Sequence, residues 1–240
     1  MNSMSWLRVA IIGFFLCYNN VSAQEQGKFV FATHTKPPLS QQLEAIYQAA
    51  FQHMGHVAEF VTLPGRRIVH AVNSGDIDGD ASRLKSFKQL STDKTDNYLL
   101  VDEPVLNIDL VVIVRKELDF SPVHWSKVNE GRVAYISGSM KIQKHVAIPN
   151  RKPLPEAIAV LEMVKRARVR SAILFKAVAV ELFNKYPAFH KDLKIISTPI
   201  ESFNLYPFLH KKHQNLKVPL QKALQAIKAD GRYQAIIEGG

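Results

Sequence analysis

The feature that most constrains this chain is a rhythm, in which short apolar runs of strand character alternate with segments whose apolar residues recur every three or four positions. Lys28-Phe29-Val30-Phe31-Ala32 reads as a buried strand, and Thr33 to Leu39, with Pro37-Pro38, as the loop leaving it. Ser40 then caps a helix whose Leu43, Ile46, Tyr47, Ala50, Phe51 and Met54 share one face, and Gly55 stops it. Val57 to Thr62 is a second strand, Pro64-Gly65 a turn, and Arg66 to Asn73 a short helix ended by Gly75; Ile77 and Asp78 open a third strand. The order β-α-β-α-β predicts a mainly parallel sheet with right-handed crossovers, and such sheets bind ligands beyond the carboxyl ends of their strands.

The rhythm resumes after a long apolar run. Ile108 to Val114 ends at Arg115-Lys116-Glu117 and reads as the passage into a second lobe. There, Arg132 to Ile136 is a strand, Ser137-Gly138-Ser139 a tight turn, and Met140 to Val146 a helix start. Pro149, Pro153 and Pro155 punctuate a loop before a helix over Glu156 to Arg166, and Ser171 to Leu174 with Ala177 to Asn184 repeats the strand-helix pattern. Lys194-Ile195-Ile196 closes that lobe and Tyr206 to His210 brings the chain back to the first. Helices over Val218 to Ala229 and Tyr233 to Glu238, split by Asp230-Gly231, finish it. The expected division is residues 24–112 plus 205–240 for lobe 1 and 113–204 for lobe 2.

At the amino terminus, a short apolar run from Val9 to Cys17 follows Arg8 and precedes Val21-Ser22-Ala23, which reads as a secretory signal peptide (residues 1–23) cleaved near Ala23. The run is too short to cross a bilayer, which takes about 20 residues. The only cysteine, Cys17, falls inside it, so no disulfide is expected in the mature chain. The destination this implies is the periplasm. With 47% hydrophobic and 22% charged residues, the composition is that of a globular chain rather than a disordered one. The net charge of +10 is unevenly spread: residues 24–112 carry 8 Lys and Arg against 11 Asp and Glu, residues 113–204 carry 16 against 8.

Three segments carry a family resemblance. Asn73-Ser74-Gly75-Asp76-Ile77-Asp78-Gly79, Val133-Ala134-Tyr135-Ile136-Ser137-Gly138-Ser139 and Ala229-Asp230-Gly231-Arg232-Tyr233 together, in this order, resemble the bacterial extracellular solute-binding proteins of family 3, over nearly the whole mature chain. The resemblance implies an α/β, two-lobed, periplasmic binding protein type II-like fold. Each lobe would be a mainly parallel sheet flanked by helices, with two crossover strands between them. It also implies a monomer that closes on a small polar or anionic ligand, amino-acid-like or an organic acid, without a cofactor or catalysis. The protein partner would be an ABC permease, or alternatively a membrane sensor to which the closed form is presented.

Amino-acid binders of the family hold the ligand carboxylate with an Arg several residues beyond the third strand, near Leu90 here, where there is none. Arg83, in Asp80-Ala81-Ser82-Arg83, is the substitute expected at the strand's end, with Ser82 beside it; a guanidinium grips a carboxylate or phosphate by two parallel hydrogen bonds. Pairing with Asp80 is the competing role for that side chain. Ser137, Gly138 and Ser139 are the complementary candidates in lobe 2, where backbone N–H groups at a helix start face an anion; the same residues also suit an ordinary turn. His34 and Thr35 lie after the first strand, and Arg66 opens a helix where its charge opposes the dipole. The acid that family members use for a ligand's ammonium group would fall near Phe175 and Lys176, so Phe175 marks the position while departing from the pattern.

Other chemistries lack a constellation. Asp76-Ile77-Asp78-Gly79-Asp80 has the alternating carboxylates of a calcium loop, but Phe87 stands where a bidentate Glu is required. His53 and His56 flank Gly55 with no third ligand nearby. Lys165, Arg166, Arg168 and Arg170 form the densest basic cluster, but without interleaved aromatics they read as a solvated helix end rather than a nucleic-acid surface.

Overall fold

The computed structural model describes residues 26–239; the signal-peptide reading and Cys17 lie outside the described residues. Ten strands carry the architecture: β1 (Lys28–Thr33), β2 (Val57–Thr62), β3 (Gly79–Leu84), β4 (Tyr98–Leu100), β5 (Leu106–Arg115), β6 (Val133–Ile136), β7 (Arg151–Leu154), β8 (Ser171–Phe175), β9 (Leu193–Ile195) and β10 (Glu201–His210). The order β2-β1-β3-β10-β5-β8-β6-β7 links them into one hydrogen-bonded path, with β4 on β10 and β9 on β5. Two parallel triplets lie at its ends, β2-β1-β3 and β8-β6-β7, and each is bordered by an antiparallel crossing strand, β10 beside β3 and β5 beside β8.

The halves share this path only through β5 and β10. Leu106 to Leu110 of β5 pair with Leu205 to Glu201 of β10, after which β5 runs on against β8 and β10 runs on against β3 and β4. Each half has its own buried clusters. Phe31, Leu43, Ile46, Tyr47, Phe51, Leu209, Leu220 and Leu224 pack on one face of the first sheet, with Ala32, Ile68, Tyr98 and Phe208 on the other. In the second half, Val111, Ile113, Leu161 and Leu174 pack on one face, and Val112, Val114, Tyr135 and Ile173 on the other. Phe203, inside the shared ladder, packs against clusters of both halves.

Local chemistry explains most element boundaries. The helix Leu39–His53 buries the apolar face expected of it, and Gly55, at φ 76°, leads out of it. Ser40 is not its cap: it is buried in the first turn, behind Pro38 in the N-cap position. The helix Gly65–Ser74 ends at Gly75 in the left-handed region, φ 90°. The third strand starts at Gly79 rather than Ile77, although Asp78 just before it already bonds through its backbone to the Val30 carbonyl (2.9 Å) and the His210 N–H (2.8 Å). Its carboxylate accepts from the Val30 N–H (2.8 Å) and contacts His213 Nε2 (2.6 Å) and Lys212 Nζ (2.9 Å). The proline-punctuated segment expected as loop contains β7, which Pro153 permits because β7 is an edge strand that needs no donor on its outer side. The strand expected at Tyr206 begins five residues earlier, at Glu201, and those added residues are the ladder shared with β5.

One glycine is fixed by close approach. A Cβ on Gly79 would lie 2.4 Å from Phe31 Cε1 and 2.7 Å from the carbonyl oxygen of Phe208. Gly79→Ala is expected to lower stability by about 1–3 kcal/mol or more through overpacking, read as a drop in the urea midpoint; an unchanged midpoint would show that the β1-β3-β10 seam has room.

Candidate functional site

The register places the candidate residues. β3 runs antiparallel to β10 with Leu84 opposite Leu205, so its carboxyl end arrives at the shared ladder from one side. β8 runs antiparallel to β5 with Phe175 opposite Leu110, so its carboxyl end arrives from the other. Leu205 itself pairs with Leu106. Along the strand direction the two ends are thus offset by the four-residue step from Leu106 to Leu110, about 13 Å, and across the sheet β10 and β5 lie between them. β1 is parallel to β3 and β6 to β8, which brings the loop after Thr33 and the turn after Ile136 to the same gap. His34, Thr35, Ser82 and Arg83 therefore border it from lobe 1, and Ser137, Gly138, Ser139 and Phe175 from lobe 2.

Arg83 is the best-built of them. Its side chain is 14% exposed, and its Nε donates to Asp80 Oδ2 at 2.6 Å in a pair whose acid is fully buried. Nη2 donates to the Gly65 carbonyl at 3.1 Å, and the guanidinium carbon lies 4.6 Å above the Phe87 ring. Two of its three nitrogens are engaged, leaving Nη1 without a protein acceptor among the described residues. Burial holds the Asp80 carboxyl above its usual range against the opposing pull of Arg83, and Tyr98 approaches the same oxygen at 3.5 Å. Asp80 Oδ1 is inaccessible and has no hydrogen-bond partner among the described residues. Beside this pair, the hydroxyls of Thr35 and Ser82 lie 3.3 Å apart.

His34 is exposed by area, yet its imidazole is pushed down to about 4, first by desolvation and second by the Arg83 charge. Its ring is thus open to solvent at the surface yet near enough to the Arg83 charge to be disfavoured as a cation. At neutral pH it offers a neutral ring with one donor and one acceptor. Arg66, by contrast, is 84% exposed and pairs loosely with Asp93 at 3.4 Å.

On the lobe 2 side, Gly138 takes φ 85° in the turn after β6, with open space around it. The Ser137 N–H donates to Leu154 O (2.8 Å) and the Ser139 N–H to Ile136 O (3.2 Å), so two of the three expected anion donors are already used within the chain. Phe175 is 38% exposed at the end of β8, an apolar surface turned out where the family places an acid.

Residues of the ladder complete the border. On one face Asn107 bonds Asn204 (3.0 Å), and Ser202 donates to Asp109 (2.6 Å), which Lys176 approaches at 3.9 Å. Lys141 pairs with Glu201 at 2.6 Å. Sequence reading missed these because Asp109 and Ser202 are 93 positions apart and only strand register joins them. Asp80, three residues from Arg83, was visible as its partner. The three aspartates that suggested a calcium loop are separately engaged, Asp76 by Ser74, Asp78 by His213 and Asp80 by Arg83. His56 accepts from the Gly27 N–H, and among the described residues no group of three or more His, Cys, Asp or Glu is placed to hold a metal ion.

Comparison with solved structures places this geometry. An ancestral arginine-binding protein bound to glutamine superposes with a TM-score of 0.63 at 21% identity, covering 89% of this chain and 97% of that one. A variant of the arginine-binding protein ArgBP from T. maritima gives 0.60 at 18% identity, covering 89% and 94%. A histidine kinase sensor domain with similarity to periplasmic binding proteins gives 0.64 at 13%, covering 89% and 96%. No protein-family model matches the chain, and no curated protein matches it. The chain has the two-lobed fold of the solute-binding proteins of family 3, as its three sequence segments led us to expect.

The His34 environment gives a signed pH effect. The folded ring resists protonation below the ordinary value of 6.5 while the unfolded ring accepts it, so the unfolded state binds more protons between about 6.5 and about 4. Stability should therefore rise with pH across that window and lose this dependence above it. His34→Gln is expected to flatten that part of a urea-midpoint series against pH; an identical slope would show that neither desolvation nor the Arg83 charge acts on this ring.

Proposed function

We propose that this protein is an exported solute-binding protein that captures a small polar or anionic ligand, amino-acid-like or an organic acid, between its lobes and catalyses nothing. The observation that carries this reading is the convergence of strand carboxyl ends from both halves on one gap, bridged by a five-residue ladder. Contacts to the far lobe are then made only when the gap narrows, so ligand shifts the population toward the closed form. In this reading the lobes are residues 24–112 plus 205–240 and 113–204, and hinge closure acts at the ladder between them.

Arg83, held by Asp80 and Phe87, presents Nη1 to the ligand's anionic group, and the Thr35 and Ser82 hydroxyls supply neutral hydrogen bonds beside it. Lobe 2 contributes the Gly138 N–H and the exposed ring of Phe175, an aromatic surface that suits an apolar part of the ligand better than an ammonium group. The signal peptide directs the mature monomer to the periplasm. Among the described residues no helix is long and apolar enough to cross a membrane. The function we favour is delivery to an ABC permease. A second reading, in which the closed form is presented to a membrane sensor, is supported by the likeness to a kinase sensor domain.

A thermal-shift screen of amino acids, organic acids and small peptides is the direct test, since a tight ligand raises stability by mass action. Against the ligand found, Arg83→Lys should weaken binding at least about tenfold, on the order of 1.4 kcal/mol, while keeping a cation beside Asp80. Equal affinities by calorimetry would take Arg83 out of the site. Arg83→Ala should in addition unfold at lower temperature, because it strands a buried carboxylate.

A further inference from the structure

The strongest feature that the cleft does not use lies at the opposite end of lobe 2. A concavity of about 360 Å³ opens there between the end of β5, the segment before β6 and the turn before β8. Arg115, Arg132, Arg168 and Arg170 line it, with Glu130 the single acid among the lining residues. Val133 is in register with Ser171, and Phe175 at the cleft end of β8 is four residues further on, about 13 Å along the strand. The concavity and the ligand gap therefore occupy opposite ends of the same strands.

The local backbone is shaped to hold these side chains. A Cβ on Gly131 would lie 2.9 Å from Cβ and from Cδ of Arg170, so the glycine lets the Arg170 stem lie flat on the chain. Ala167 adopts φ 54°, a left-handed conformation that costs a non-glycine residue energy, in the turn that delivers Arg168. Arg170 spends one nitrogen on Glu130 at 2.8 Å, while its Nε is buried without a partner. Arg115 pairs with Glu117 at 2.8 Å. Arg132 and Arg168 are exposed and have no carboxylate within 4.0 Å among the described residues.

We propose that this arginine-lined concavity is a second anion site that takes a phosphate-class group, either free in solution or carried on a lipid headgroup. Guanidinium forks each match a pair of oxygens, and a phosphate has enough oxygens to engage more than one fork, whereas a carboxylate satisfies one and leaves the remaining cations uncompensated. With Arg115 paired to Glu117 and Arg170 to Glu130, Arg132 and Arg168 remain as uncompensated cations, and they raise a local positive potential that a multivalent anion relieves and salt screens.

The test is calorimetric titration of the full mature chain with pyrophosphate at low salt, beside sedimentation with phosphatidylglycerol vesicles. Arg132→Gln/Arg168→Gln should lose at least about tenfold in affinity. Lys211→Gln/Lys222→Gln, which removes two exposed charges from the other lobe, should bind as the parent does. Loss confined to the arginine double variant with pyrophosphate identifies a soluble phosphate ligand, and the same pattern with vesicles alone identifies a headgroup. Equal weakening in the lysine and arginine variants would reduce the effect to net charge and overturn the site, as would the absence of binding in both arms.

Discussion

The architecture depends on the ladder between Leu106–Leu110 and Glu201–Leu205, because among the described residues no other strand pairing joins the two halves. The ladder has two unlike faces. Asn107, Asp109, Ser202 and Asn204 bond across it on one side, while Ile108 and Phe203 are packed on the other. In the function proposed above, hinge closure acts at this ladder, since each half keeps its own buried clusters on either side of it. The same five residues set the offset of the strand ends that border the gap. Hinge and site geometry are therefore one quantity.

If Arg83 holds the ligand as proposed, it shows what preparing such a site costs. A fully buried aspartate with one unpartnered oxygen is expensive, about 1–3 kcal/mol for the orphaned atom. Its ion pair with Arg83 offsets only part of the desolvation, and the raised Asp80 carboxyl records that imbalance. In exchange the guanidinium loses its freedom before any ligand arrives: Nε, Nη2 and the planar face are fixed by Asp80, Gly65 and Phe87. Preorganisation of this kind moves an entropic cost from binding into folding.

How much of this was legible depended on how local each signal was. The helices ended by Gly55, Gly75 and Gly231 and the strands Val57–Thr62 and Val133–Ile136 were readable because period and punctuation lie within a few residues. Arg83 was found by counting to the end of a strand, and its Asp80 partner lay three positions away. What stayed hidden was long-range. The amino-terminal half of β10 alternates polar and apolar residues from Ser202 to Leu205, a strand period carried over too short a run to stand out, and the β5 partner that fixes it lies 93 positions away at Asp109. β7 hid behind its prolines, which only an edge position tolerates. The use of the Ser137 and Ser139 N–H groups within the chain depends on the β7 and β6 carbonyls and could not be seen in a turn signature.

The threading of the chain through the two crossing strands also orders its assembly. The buried clusters of lobe 2 draw on one unbroken stretch, from Leu110 to Leu193, whereas the main cluster of lobe 1 needs Phe31 through Ile108 together with Leu209 through Ile227. The helix Leu39–His53 even waits for the last helix, since Gln42 donates to the carbonyl of Ile237. A chain emerging amino end first can thus complete its inserted lobe from local contacts while the lobe that began first stays unfinished until the final thirty residues arrive.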